Sequence, residues 1–471
     1  MNAIVAIIAT TFIVLTVVGS VSLYVGKKKK GEENWTVAGR SLPLYVIVGT
    51  QFASAQGGGM LVAQIGIGYD AGWSAIMYGS FVGIGLFLLV ILAKWLRIQR
   101  FATIPEIFIK LYGNHKVLVT TATIMTIIVP FGWVCTQLVA FGSLFSEITG
   151  LSSSLLIVIF AGISLIFILP AGLASVAWTD FIFGCMMVIM AVASVVFAIN
   201  LAGGWDTMTN NVPQEIVSFP EGLGAAGLTT IALWALSTLP GTLTNQMYYL
   251  RIFSSKNVST ARWSLGITAI VIVLSVVWAS IMGMSIRSVN PNLADEEMAA
   301  GWFLTQLPIW FLALYSAFII ASIMSTISSA VQSVVANITR DIYKSYINPS
   351  VSEKSLLKLS RRFSILILIL GIVLSIMFPG ALDWLVATYA YSASGLLVPI
   401  FLGFALKNTR FLTQQGVIGS IIMGILGTGT AHIIGTNIPY AIFGLVTSLL
   451  GILVISFFTK NKSKSESAHP M

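Results

Sequence analysis

The densest polar chemistry in the chain lies in eight residues, where Ser322, Ser325, Thr326, Ser328 and Ser329 place five hydroxyls. Ser322, Ser325 and Ser329 recur at helical spacing along one face, with Thr326 beside them. A hydroxyl in an apolar helix commonly bonds back to the carbonyl four residues earlier, so a single serine there carries no assignment. Five together make a polar wall. Neutral oxygens of this kind can hold a bare monovalent cation, because hydroxyls and carbonyls replace its hydration shell.

Two further segments offer freed backbone groups. The run Phe52-Ala-Ser-Ala-Gln-Gly-Gly-Gly-Met60 puts Gly57, Gly58 and Gly59 in the middle of an apolar stretch. The run Leu236-Ser-Thr-Leu-Pro-Gly-Thr242 does the same with Pro240 and Gly241. A broken helix exposes carbonyls and amides, which a membrane tolerates only where they face protein or a wet cavity. Taken singly, each segment equally suits close helix approach through small residues. Around the breaks, Gly57, Gly58, Met60, Tyr78, Trp133, Gln137, Trp234, Thr238 and Asn245 outline a pocket for a small neutral or zwitterionic solute. For each aromatic alone, packing or interface anchoring is the plainer role.

The elements that must position these residues are membrane helices. Of 471 residues, 57% are hydrophobic and 9% charged, too few charges to cover a soluble surface. At about 20 residues per crossing, apolar runs place about thirteen spans, near 3–25, 42–68, 74–95, 118–146, 153–172, 175–201, 228–248, 263–286, 303–336, 362–379, 383–405, 414–433 and 438–458. The longest polar stretch, residues 340–362, reads as a loop. Residues 4–25 lack a basic leader and run into Lys27-Lys28-Lys29-Lys30, so they read as a first span rather than a signal peptide.

Charge then orients the chain. With the N-terminus outside and the C-terminus in the cytoplasm of a bacterial-type inner membrane, 24 of the 25 basic residues fall on the inner side, and only Arg287 lies outside. Asp206, Glu215, Glu221, Asp295, Glu296 and Glu297 sit in outer loops. The net charge of +9 therefore reports orientation and not a nucleic-acid partner. No Lys, Arg, Asp or Glu is expected at mid-membrane, which argues against a proton pump and against a charged substrate held by a buried counter-ion. Cys135 and Cys185 lie in apolar runs and imply no disulfide framework.

The second span runs inward to outward and the seventh runs back, so their breaks correspond in oppositely oriented halves, the pattern of an inverted-repeat transporter. The expected organisation is 1–27 as a peripheral helix, 40–201 (spans 2–6) and 226–405 (spans 7–11) as five-helix repeats, 412–459 as two peripheral helices, and 460–471 as a cytoplasmic tail.

The segments Gly39-Arg-Ser-Leu42, Thr103-Ile-Pro-Glu106, Gly172-Leu-Ala-Ser-Val-Ala-Trp-Thr-Asp180, Met324-Ser-Thr-Ile-Ser-Ser329 and Arg340-Asp-Ile-Tyr343 resemble, in order, those of the sodium/solute symporter family. That family includes bacterial proline, pantothenate, sialic acid and sugar symporters. The resemblance implies an all-α, leucine-transporter-type 5+5 inverted repeat. It implies Na⁺ as coupling ion, bound by the carbonyls of Ala53, Gln56 and Ser322 and the hydroxyls of Ser325 and Thr326. It also implies a role for Asp180 in sodium release; from the residues alone, Asp180 equally reads as a helix N-cap. Glu106 reads as a helix start or, by the resemblance, as a gate element. Proline symporters of this family carry an aspartate where Ala55 stands, which weakens a proline assignment; sugar members lack that acid too.

The function expected is Na⁺-driven uptake of a small neutral or zwitterionic solute by alternating access, with the lipid bilayer as solvent, no organic cofactor, no nucleic acid and no obligate protein partner. Alternatives are an H⁺-coupled transporter of the same fold and a membrane sensor, the latter disfavoured by a tail of only a dozen residues, Lys460 to Met471. A membrane enzyme is disfavoured by the absence of intramembrane acids or histidines, and no nucleophile–base pair, metal cluster or phosphate loop appears. His115, His432 and His469 receive no chemistry.

Overall fold

The computed structural model describes residues 3–28, 32–168, 172–409, 411–436 and 438–466. Lys29, Lys30 and Arg410 of the expected basic face lie outside them. The described residues are helical, with one isolated backbone bridge between Leu42 and Ser255. Ten helical stretches are long and apolar enough to cross a membrane. The expected count is higher because span 5 (Ser153–Ile168) is short, span 2b runs on toward span 3, and span 7 is split.

The helices are span 1 (Ala3–Lys28), 2a (Leu44–Ala55), 2b (Gly58–Ala71), 3 (Ala75–Ile98), 4 (Lys116–Thr149), 5, 6 (Leu173–Leu201), 7a (Leu228–Thr242), 7b (Gln246–Ser254) and 8 (Val258–Val289). They continue with span 9 (Ile309–Ala336), 10 (Glu353–Met377), 11 (Ala381–Ala405), 12 (Gln414–Ile434) and 13 (Tyr440–Glu466). Large apolar side chains such as Phe12, Ile189, Val192, Leu274 and Leu366 point outward, as a lipid-facing surface requires. Span 9 is the central post: its most apolar window is 94% buried, against 17–67% for the other candidate spans. Spans 1, 2, 4 and 6 pack around it, while spans 12 and 13 pair on the flank of span 11.

Both expected breaks exist, one of them displaced. Span 2 opens at Gln56 and Gly57, and Gly57 is extended (φ −61°, ψ 169°) before the helix restarts at Gly58. The three glycines are required by contact as well. A Cβ on Gly57 would lie 2.5 Å from Thr326 Oγ1, on Gly58 2.2 Å from Ile323 Cγ1, and on Gly59 2.2 Å from Thr136 Cγ2. Span 7 opens at Leu243–Asn245, not at Pro240 and Gly241, which stay helical. Proline costs one backbone bond but is tolerated near a helix end. Asn245 fixes the restart, because its side chain accepts from Met247 N at 2.9 Å and caps span 7b.

Three other expectations need correction. Residues 303–336 are not one span: Ala299–Thr305 is a separate short helix and span 9 begins at Ile309 after Pro308. Residues 340–362 are not a loop. Span 9 continues as a wider, π-wound helix over Asn337–Ile347, and span 10 starts at Glu353. Asp180 is not an N-cap, since Gly172 holds that position and Asp180 lies two turns inside span 6.

The ordered motifs meet at one face. Thr103 donates to Asp341 at 2.9 Å, and Arg340 Nε lies 3.3 Å from Glu106. Glu106 also accepts from Ala102 N (2.8 Å), so it is both a helix start and a link to the span 9 extension. Arg40 donates to the carbonyls of Arg100, Phe101 and Phe253, and Leu42 N donates to Ser254 O. The motif residues thus tie the ends of spans 2, 3, 7 and 9 together at the basic face.

Candidate functional site

The break in span 2 does what a cation seat requires. Neither the Ala53 nor the Gln56 carbonyl receives a backbone N–H, because the helix that would have supplied it stops. Thr326 Oγ1, entering from span 9, reaches the Ala53 carbonyl at 3.4 Å and its own Ser322 carbonyl at 3.1 Å. Ala53, Ser322 and Thr326 are therefore one cluster, and all three are buried. Ser325 is turned differently, its hydroxyl donating to Asp180 Oδ1. Ser328 and Ser333 bond back along the helix to Met324 and Ser329, the ordinary role of membrane hydroxyls.

The interior is not free of charge. Asp180 and Arg251 are both buried, with Arg251 Nη2 3.4 Å from Asp180 Oδ2. That nitrogen also donates to Ser54 (2.8 Å), Ser329 (3.0 Å) and Thr50 (3.2 Å), while Thr50 donates to Asp180 at 2.6 Å. The reading of a charge-free interior fails because span 7b continues inside the protein to Ser254. It carries Arg251 toward spans 2a, 6 and 9 instead of releasing it to a loop. The surrounding hydroxyls offset part of the cost of taking the two charges out of water, while Arg251 Nε has no hydrogen-bond partner.

Beyond this cluster lies a second polar group. Gln137 of span 4 accepts from Gly59 N (3.3 Å), joining it to the restart of span 2. Trp133, one turn earlier, and Asn245 at the span 7 break surround the hydroxyl of Tyr389 together with Tyr248 and Thr242. Tyr389 seats its ring against Gly241, where a Cβ would lie 2.4–2.6 Å from ring and Cβ atoms. Tyr78 stands edge-on to Trp234, ring centres 5.8 Å apart, with Thr238 beside it. Tyr248, Tyr389 and Thr242 were missed by sequence reading; tyrosine in an apolar run carries no signal of which way it faces. Met60 is buried in the first turn of span 2b, and the Gly58 position faces Ile323 of span 9 rather than these aromatics.

On the face opposite the basic one, a cavity of about 330 Å³ is lined by Asp70, Glu296, Asp383, His432 and Tyr440, with Trp234 also in its wall. His432 stacks on Tyr440 at 4.2 Å between ring centres. Glu297, next to this vestibule, accepts from Ala381 N and Leu382 N, each at 2.8 Å, and so latches the loop before span 9 onto the start of span 11. Burial raises its carboxyl from 4.5 to about 7, assisted by Asp295 and Asp383 and opposed by the two backbone bonds.

These features, two broken helices with a polar midplane cluster between them, define a secondary transporter of the leucine-transporter fold. The model of the sodium:solute symporter family matches residues 35–424, and the chain belongs to that family. The sodium/glucose cotransporter of Vibrio parahaemolyticus is 24% identical over 96% of this chain and 89% of its own. A Na⁺-coupled sialic acid symporter, solved in a substrate-bound outward-open state with a novel Na⁺ site, superposes with a TM-score of 0.79 at 18% identity, covering 96% of this chain and 98% of that one. Mhp1, a nucleobase-cation-symport-1 family transporter in a closed conformation, superposes at 0.60 and 14% identity over 91% and 94% of the two chains. The chain is a Na⁺-driven secondary transporter.

Two outcomes test the electrostatics. Arg251→Met or Asp180→Leu alone leaves a buried charge unpaired, at a cost of about 3–5 kcal/mol, and the double variant recovers much of the loss in thermal unfolding. Losses that simply add would mean the two groups do not interact. For Glu297, the folded chain holds an extra proton between about pH 4.5 and 7, so stability rises as pH falls through that window and drops as pH rises. Glu297→Gln flattens this slope in a pH series of unfolding temperatures.

Proposed function

We propose that the protein takes up a small organic solute with Na⁺ by alternating access, the ion held by the carbonyls of Ala53, Gln56 and Ser322 and the hydroxyls of Ser325 and Thr326. The observation that carries this reading is the Thr326 hydroxyl reaching a carbonyl freed by the span 2 break, at 3.4 Å. An ion there would replace a weak hydrogen bond with direct ligation and draw span 2a against span 9. Asp180, bonded to Ser325, stands next to the seat and away from the vestibule side, which suits a way-station for sodium leaving inward.

Residues 40–201 and 226–405 serve as the two repeats that rock against each other, with the basic face in the cytoplasm and the acidic vestibule outside. Asp70, Glu296 and Asp383 raise the local concentration of cations at the outer mouth. The membrane potential then adds about 2.3 kcal/mol per charge per 100 mV to inward movement. The solute occupies the pocket of Tyr78, Trp133, Gln137, Trp234, Thr238 and Asn245, next to the two breaks.

Ser325→Ala and Thr326→Ala each remove one ligand oxygen. Each variant is expected to need several-fold more sodium for half-maximal thermal stabilisation of the purified protein, read against choline chloride at constant ionic strength. Unchanged sodium dependence in both variants would place the ion elsewhere.

A further inference from the structure

The unwound link of span 2 consists of Gln56 and Gly57, and only Gln56 carries a side chain. Its backbone N–H is held by Phe52 O at 2.9 Å, which closes span 2a, while its carbonyl is released from the helix. The direction of that carbonyl depends on the peptide plane between Gln56 and Gly57, and no helical bond to the carbonyl fixes it. What holds Gln56 is a side-chain bond to span 8. Gln56 Nε2 donates to Ser275 Oγ at 2.8 Å, and Ser275 spends its own proton on Ile272 O at 2.6 Å. An amide nitrogen can only donate, and a hydroxyl that has given its proton can only accept, so the two bonds define a single direction.

Span 8 follows span 2 past the break on both sides. Thr268 donates to Gln51 Oε1 of span 2a at 3.0 Å. Beyond the break, a Cβ on Gly283 would lie 2.2 Å from Gly68 C and Tyr69 N, so the backbones of spans 8 and 2b touch. Arg287 then donates to the carbonyls of Tyr69 (2.9 Å) and Asp70 (3.1 Å). The partners advance together along both chains, Gln51 with Thr268, Gln56 with Ser275, Gly68 with Gly283 and Asp70 with Arg287. Span 8 is therefore a splint laid parallel to both halves of span 2. Small residues and polar bridges between membrane helices account for the outer attachments as packing. Of the four, only the Gln56–Ser275 bond lands on a residue whose carbonyl the break has freed.

We propose that Ser275 is a positioning residue of the sodium seat: without touching the ion, it holds the Gln56 side chain so that the Gln56 carbonyl stays aimed at the cluster of Ala53, Ser322 and Thr326. This rests on the seat proposed above. A carbonyl on an untethered link would have to be ordered at each binding event, and that lost entropy would be subtracted from the affinity. The bond to span 8 orders it in advance.

The test is sodium-dependent thermal unfolding of the purified full chain, with choline chloride holding ionic strength constant. Ser275→Ala leaves every proposed ligand oxygen in place. It is expected to raise the half-stabilising sodium concentration about three- to ten-fold, the range that one intramolecular hydrogen bond spans. Ser275→Thr, which keeps the hydroxyl, should restore the wild-type requirement. Gln56→Ala cuts the same bond from the other side and keeps the carbonyl, so alone it carries the same expectation. Combined with Ser275→Ala, it should need no more sodium than the worse single variant. Thr268→Val removes a polar attachment of span 8 that touches no ligand residue. It should lower the unfolding temperature in choline while its sodium requirement stays at the wild-type value. A wild-type requirement in Ser275→Ala, additive effects in the double variant, or an equal rise in Thr268→Val overturns the inference. Thr326→Ala separates this inference from the seat itself. If Thr326→Ala needs more sodium and Ser275→Ala does not, the positioning role alone falls. If both match the wild type, the seat is misplaced and the positioning role falls with it.

Discussion

The fold turns on one contact, the unwound stretch of span 2 lying against span 9. A membrane helix gives up backbone hydrogen bonds only where something else receives them. Here the interruption frees the carbonyls of Ala53 and Gln56, and span 9 offers hydroxyls at the same depth. The approach is possible because Gly57, Gly58 and Gly59 have no side chain: any Cβ would strike Thr326, Ile323 or Thr136. Close packing and function are therefore not rival explanations of the glycine run. The same atoms that let the helices touch leave the carbonyls to be shared.

The second break is built on a different chemistry. Asn245 caps the restart of span 7 with its own side chain, whereas span 2 borrows Gln137 from span 4. Each restart is thus capped by an amide oxygen, supplied by different residues in the two halves. Below them, Arg251 and Asp180 knit spans 2, 6, 7 and 9 into one polar knot, which must loosen if the basic face is to open. The acid-lined vestibule on the other side, latched by Glu297, gives the opposite end its own fastening.

Much of this was legible in the sequence, because lipid imposes simple rules. The apolar runs fall on the observed helices, the triple glycine on the first break, and the hydroxyl-rich segment on the most buried helix. What was misread depends on interactions between distant segments. Pro240 and Gly241 looked like the second interruption, but the capping strength of Asn245 moved it three residues on. Arg251 looked like a loop charge, since nothing local announces that Asp180, seventy-one positions earlier, neutralises it. Residues 340–362 looked polar enough for a loop, yet Arg340 and Asp341 find partners in Glu106 and Thr103 and the helix continues. Tyr248 and Tyr389 became visible only when spans 7 and 11 were brought together.

The central claim is that neutral oxygens of the opened span 2 and of span 9 together hold the coupling ion. Thallous ion substitutes for an alkali cation and scatters anomalously, so a crystal grown in thallium acetate places the site without reference to the solute. The account predicts a single strong peak among Ala53, Gln56, Ser322, Ser325 and Thr326. Anomalous density elsewhere in the helical core, with those five residues bare, would contradict it.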